Sequence, residues 1–110
     1  MKFCYILRLK DMKFYVGITS DLQRRFRDHF NGVGSKWTNR YEPIESINVT
    51  IMSHHWQENF TTLVMMKTYG VNNVRGGSYC RLDFDYSKLN IHLIDESLSI
   101  DDNYKSFNKR

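Results

Sequence analysis

A chain of 110 residues with 41% apolar content has enough to bury one modest core, and it holds no apolar run near the roughly 20 residues of a membrane span. Its two cysteines, Cys4 and Cys80, have neither zinc spacing nor a disulfide framework, and no leader pattern precedes Phe3, so the expectation is an intracellular protein, cytoplasmic or nuclear, with reduced thiols and no membrane partner. The net charge of +4 is uneven: residues 1–40 hold nine Lys/Arg against three Asp, whereas residues 83–110 hold four against six acids, so the N-terminal part offers a positive field to a polyanion such as nucleic acid.

In chain order, Phe3 to Leu9 is rich in β-formers and reads as a strand. Lys10 to Lys13 reads as its turn, and Phe14 to Ile18 as the returning strand of an antiparallel hairpin. Ser20-Asp21-Leu22-Gln23 matches a capping box with Ser20 as N-cap, opening a helix to Phe30 whose stripe is Leu22, Phe26 and Phe30. Asn31-Gly32-Val33-Gly34 stops it. Residues 35–43 read as an exposed loop with Lys36, Trp37 and Arg40, and Ile44 to Met52 alternates as a third strand. A second helix is expected over Gln57 to Tyr69, burying Phe60, Leu63, Val64 and Met66, with Gly70 as its stop. Val71 to Cys80 reads as a glycine-bearing loop, and Ser87 as the cap of a third helix to Glu96. Residues 98–110 form a polar tail, frayed beyond Ser99, after a single domain over 1–97. The order β-β-α-β-α-α predicts a small α/β sandwich.

Phosphodiester hydrolysis needs a group that orients or deprotonates water, a cation for the phosphate and stabilisation of the leaving oxygen. Tyr5 and Tyr15 lie on neighbouring strands and can share one face of the hairpin. A free phenol near pKa 10 is only about one part in a thousand phenolate at neutral pH, and a nearby arginine or cation favours that form. Arg25 has the planar fork of a phosphate clamp, and His29 follows it at i+4 on the same helix face. Arg24 and Arg27 occupy other faces; with Lys36, Arg40 and Arg75 they are the candidate nucleic-acid-binding cations, Arg75 being carried by the tight turn Val74-Arg75-Gly76-Gly77. Glu58 is the only acid between Glu45 and Asp83, which suits one Mg²⁺ held by one carboxylate, water and substrate oxygens. Each of these residues also has a plain structural reading: strand tyrosines at a rim, a solvated arginine, an acid placed well at a helix N-terminus. Trp37 and Trp56 can stack on bases or pack in the core, and His54 and His55 lack zinc spacing.

Taken together, these residues resemble the GIY-YIG nuclease family. Phe3-Cys4-Tyr5 stands where the family has GIY, and Tyr15-Val16-Gly17 where it has YIG. Arg25 falls at the family arginine's offset from that glycine, and His29-Phe30 follows as in several members. Glu58-Asn59-Phe60 looks like the metal-ligand segment of phage homing endonucleases of this family, and Asn73 sits where a late asparagine is expected. The resemblance covers residues 3–80. Trp37-Thr38 and the stretch from Gly70 to Tyr79 further resemble small stand-alone members from large DNA viruses, which extends the expected location to a viral factory or virion.

The resemblance implies an α/β sandwich with a central three-stranded antiparallel sheet flanked by helices, and cleavage of DNA with Mg²⁺ or Mn²⁺. It implies Tyr5 as base, Tyr15 as an active-site hydroxyl, Arg25 as phosphate stabiliser, His29 as helper and Glu58 as metal ligand, with Gly17 and Asn73 as structural residues near the site. Phe3 and Cys4 depart from the Gly and Ile of the motif. Aligned instead with bacterial members that carry Ala-x-x-x-Glu deeper in the helix, the acid's place falls near Leu63, and the chain becomes a degenerate nucleic-acid-binding module. A third reading is a domain acting through protein contacts at its C-terminal segment. The chain shows no added DNA-recognition module, so nicking or structure-directed cleavage is expected, and a double-strand break needs a homodimer or two visits.

Overall fold

The computed structural model describes residues 1–108. Strand β1 (Phe3–Leu9) and strand β2 (Lys13–Thr19) pair antiparallel, with Tyr5 opposite Gly17 and Leu7 opposite Tyr15. The turn between them takes Asp11 and Met12 through positive φ, 60° and 58°. Strand β3 (Pro43–Ile51) adds antiparallel to β1, and strand β4 (Val74–Gly76) adds parallel to β2. The sheet order is therefore β3-β1-β2-β4, four strands rather than the expected three. The fourth lies within the stretch read as a glycine loop, because three residues are too few to show a two-residue period. Gly76 is fixed there by packing: a Cβ would strike the Val16 carbonyl and come 2.7 Å from Thr62 Oγ1.

Strand alternation sends the hairpin's side chains to two cores. Cys4, Ile6, Phe14 and Val16 pack with Met65 and Met66 of helix α3 (Gln57–Tyr69) and with Val74 and Tyr86. Tyr5, Leu7 and Leu9 pack on the opposite face with Trp37 of helix α2 (Lys36–Arg40), and with Leu22 and Phe26 of helix α1 (Leu22–Phe30). Each fully buried Leu or Phe contributes roughly 1.5–3 kcal/mol. The sheet is thus sandwiched, with the tyrosines on the α1–α2 side.

The helix starts and the C-terminal segment differ from expectation. Asp21, not Ser20, caps α1, its carboxylate accepting from the Arg24 N–H at 3.1 Å. Asp and Ser cap about equally well, so adjacent candidates shift the start by a residue. Phe30 keeps 49% of its surface exposed, so the apolar stripe ends at Phe26. The expected loop at 35–43 holds α2, opened by a Ser35–Thr38 capping box, and buries Trp37, whose indole donates to the Phe14 carbonyl at 2.9 Å. No helix spans 87–96 beyond a single turn at Ile91–Leu93, because Ser87 closes a local turn on the Asp85 carboxylate instead of capping. The segment expected to fray forms helix α4 (Ile100–Asn108), where Tyr104 stacks on Trp56 at 3.7 Å. Residues 109 and 110 of that tail lie outside the described residues. Among the described residues, no helix is long and apolar enough to cross a membrane.

Candidate active site

Because Tyr5 faces Gly17 and Tyr15 faces Leu7, the two phenols are diagonal neighbours on one sheet face, their ring centroids 6.3 Å apart. Gly17 makes room for both: a Cβ there would lie 2.5 Å from Tyr5 Cζ and 2.9 Å from Tyr15 Cε2. Cys4, one residue back, points to the opposite core, where its thiol donates to Thr61. The departure from the family motif at that position is therefore an α3-side packing matter.

Helix α1 lays His29 over Tyr5. The Tyr5 hydroxyl and His29 Nε2 are 2.8 Å apart, and His29 Nδ1 is 2.8 Å from Thr38 Oγ1. Thr38 Oγ1 also lies 3.0 Å from the Ser35 hydroxyl and 3.2 Å from the Ser35 carbonyl. In the tautomer with Thr38 donating to Ser35, Nδ1–H donates to Thr38 and Nε2 is the acceptor facing the Tyr5 hydroxyl. His29 is fully buried, and burial together with the Arg25 charge lowers its pKa to about 4, keeping the ring neutral at pH 7. Gly34 gives the ring its space, since a Cβ there would come 2.9 Å from His29 Cε1. Ser35, Thr38 and Gly34 escaped the sequence reading: the glycine passed as a helix stop, and the capping box lay hidden in an apparent loop.

Arg25 is half-buried, and the Tyr5 and Tyr15 hydroxyls bear on its charge. Burial lowers its pKa, and the two phenols more than offset that, leaving it raised. Both phenols are raised in turn, chiefly by burial, with Arg25 pulling the other way. The expected drive toward phenolate is therefore outweighed in the free site. Tyr5 has no exposed surface, whereas Tyr15 lines an open cleft of about 820 Å³.

Glu58, in the first turn of α3, lines that same cleft with Tyr15, Lys36, Gly77 and Arg81. Burial raises its carboxyl pKa, while the Gly77 backbone N–H and Lys2 oppose the rise. Among the described residues no group of three or more His, Cys, Asp or Glu could hold a metal. What the cleft offers is Glu58, a carboxylate free of an ion pair among the described residues, beside the Tyr15 phenol, with the second acid, Asp83, paired to Arg40. One hard carboxylate completed by water and phosphate oxygens fits Mg²⁺ or Mn²⁺. Leu63 lines a separate apolar cavity with Tyr79, Leu89 and Ile94, away from the cleft that Tyr15 and Glu58 line.

The candidate DNA-binding cations divide. Arg24, Arg27 and Lys36 are exposed, Lys36 on the cleft and Arg24 on a groove beside Arg25. Arg40 is exposed but paired with Asp83 at 3.0 Å. Arg75 is a correction: it is 2% exposed, sandwiched between the Trp37 and Tyr86 rings, and donates to the carbonyls of Val71, Val74, Arg81, Leu82 and Phe84. It cannot touch DNA. Asn73 makes structural contacts: its side chain donates to the Tyr69 carbonyl and accepts from Lys13, and its carbonyl accepts from the N–H of Phe14, the residue before Tyr15. Trp56 and His54 stack with each other under α4, away from the cleft.

The family model of the GIY-YIG catalytic domain matches residues 1–63, more than half of the chain, and the chain belongs to the GIY-YIG family. That is a family of nucleases. Curated relatives include the UPF0213 protein YazA of Bacillus subtilis, 40% identical over 45 residues (41% of this chain, 46% of that protein). A UPF0213 protein of Clostridium perfringens is 38% identical over 47 residues (43% of this chain, 50% of the relative). One of Halalkalibacterium halodurans is 28% identical over 82 residues (70% of this chain, 87% of the relative). The chain spans about half the length of the first two. Their names carry no activity, and all three are bacterial, so they lend nothing to the viral likeness. No solved structure matches the chain.

Proposed function

We propose that the chain is a divalent-metal-dependent DNA endonuclease that hydrolyses phosphodiester bonds one strand at a time. The observation that carries this reading is that Glu58 and Tyr15 line one cleft, backed by the Tyr5–His29–Thr38 hydrogen-bond chain and by Arg25 against both phenols. Arg25 turns its fork onto the scissile phosphate, which uncovers Tyr5. Tyr5 then takes a proton from the attacking water as it passes its own to His29 Nε2, so no free phenolate accumulates. Tyr15 holds the water or a phosphate oxygen at the cleft wall. A new P–O bond forms from the water oxygen as the bond to the leaving sugar oxygen breaks; that oxygen takes a proton from solvent in the open cleft, and His29 returns its proton through Tyr5. Mg²⁺ or Mn²⁺ held by Glu58 would supply charge neutralisation at the phosphate. Lys36, Arg24 and Arg27 carry the flanking backbone phosphates.

The alternative, a binding module that has lost catalysis, is less well supported because Glu58 lines the same cleft as Tyr15. Nicking of supercoiled plasmid in Mg²⁺ and then Mn²⁺, compared with Glu58→Ala and Arg25→Ala, separates the two. Cleavage lost in both variants supports the nuclease. Salt-dependent binding without cleavage under any divalent ion supports the module.

A further inference from the structure

The wall of the cleft opposite the helices is the segment from Cys80 to Phe84. It is a built wall. The buried Arg75 guanidinium holds the carbonyls of Arg81 at 2.9 Å and Phe84 at 3.0 Å, and the Tyr86 hydroxyl accepts from the Arg81 N–H at 3.1 Å. On this wall Phe84 keeps 42% of its surface exposed, with the Arg81 guanidinium 4.6 Å from its ring centroid. The Phe84 ring also contacts Tyr86, with centroids 4.8 Å apart and a tilt of 53°, and the surface it still exposes on the cleft is available to a further apolar planar group. Lys36 and Arg81 line the same cleft and supply positive charge, and the one acid on the wall, Asp83, is engaged by Arg40 at 3.0 Å.

We propose that Phe84, with Arg81 behind it, is a stacking platform for an unpaired nucleobase beside the scissile phosphate, so that the preferred substrate is DNA with a single-stranded nucleotide at the cut, such as a flap or a frayed junction. This rests on the nuclease reading and names its substrate class. Bases within an intact duplex are covered on both faces by their neighbours and cannot stack on a protein ring; an unpaired base can, whatever its sequence. The cleft, about 820 Å³, lies in the size range that encloses a small organic ligand.

The test uses a flap DNA with 2-aminopurine at the first unpaired position, bound by the Glu58→Gln chain so that no cutting intervenes. Stacking quenches the fluorophore, and the same protein carrying Phe84→Ala is expected to lose the quenching and roughly tenfold in affinity for the flap, with Phe84→Trp restoring both. In chains that keep Glu58, Phe84→Ala is expected to lower the ratio of flap to duplex cleavage. Circular dichroism of each variant confirms that the fold is retained. Quenching that survives Phe84→Ala, or no quenching at all, overturns the platform even if the wild type cuts DNA. Quenching that depends on Phe84 in a protein that never cuts upholds the platform and defeats the nuclease reading instead.

Discussion

The Tyr5 hydroxyl and His29 Nε2 lie 2.8 Å apart, both fully buried, and this contact sets a neutral imidazole against the inner phenol. It also ties stability to pH. The unfolded histidine titrates near its ordinary value of 6.5 and the folded one at about 4, so between these limits the unfolded state binds more protons. Stability is therefore expected to rise with pH from about 4 to 6.5 and to level off above, other groups apart. Denaturant midpoints across this range check it, and His29→Gln is expected to flatten the slope.

Gly17 leaves no space for a side chain against Tyr5 Cζ, 2.5 Å from where a Cβ would sit. Gly17→Ala is expected to cost about 1–3 kcal/mol through overpacking and to abolish cleavage by displacing both phenols. Thermal denaturation and nicking on the same preparation check the pair of effects.

Cys80 is an exposed thiol on the cleft, whereas Cys4 is buried and its thiol is raised by burial. Alkylation with a bulky maleimide is expected to modify Cys80 alone in the folded protein and to block DNA cleavage. Mass spectrometry locates the adduct, and Cys80→Ser is expected to stay active and resist the reagent.

The two kinds of cation separate by salt. Lys36→Ala is expected to lower the slope of log affinity against log salt by about one without unfolding the chain. Arg75→Met leaves several carbonyls without their donor, each worth about 1–3 kcal/mol, and is expected to destabilise the fold by several kcal/mol. Affinity measured at several salt concentrations, with denaturant unfolding alongside, tells the two apart.

How legible this was in the sequence depended on local signals. The hairpin showed through its β-formers, and Gln57–Tyr69 was read to its last residue because Gly70 stops it, although it buries Thr61, Thr62 and Met65 with Phe60 and Met66 and leaves the expected Leu63 and Val64 half-buried. The tyrosines' shared face followed from the antiparallel pairing that two adjacent strands adopt. What stayed hidden was decided by distant contacts. Arg75 looks like any loop cation until its turn is placed between Trp37 and Tyr86. Helix α4 is polar in sequence, and its place on α3 rests on Trp56, Phe60, Tyr104 and Phe107, two ring pairs about fifty residues apart in the chain. The role of His29 toward Tyr5 needed Thr38, which lay in a stretch without periodicity.

The central claim is that Glu58 and the paired tyrosines form one hydrolytic site. Nicking of supercoiled plasmid by wild type and Glu58→Gln in Mg²⁺, with DNA binding measured in the same samples, tests it most directly. The account predicts that the wild type nicks, and that Glu58→Gln binds DNA about equally well while cleavage falls at least a hundredfold, on the order of 3 kcal/mol of transition-state stabilisation. Cleavage retained in Glu58→Gln, or no cleavage by a folded, DNA-binding wild type, would contradict it.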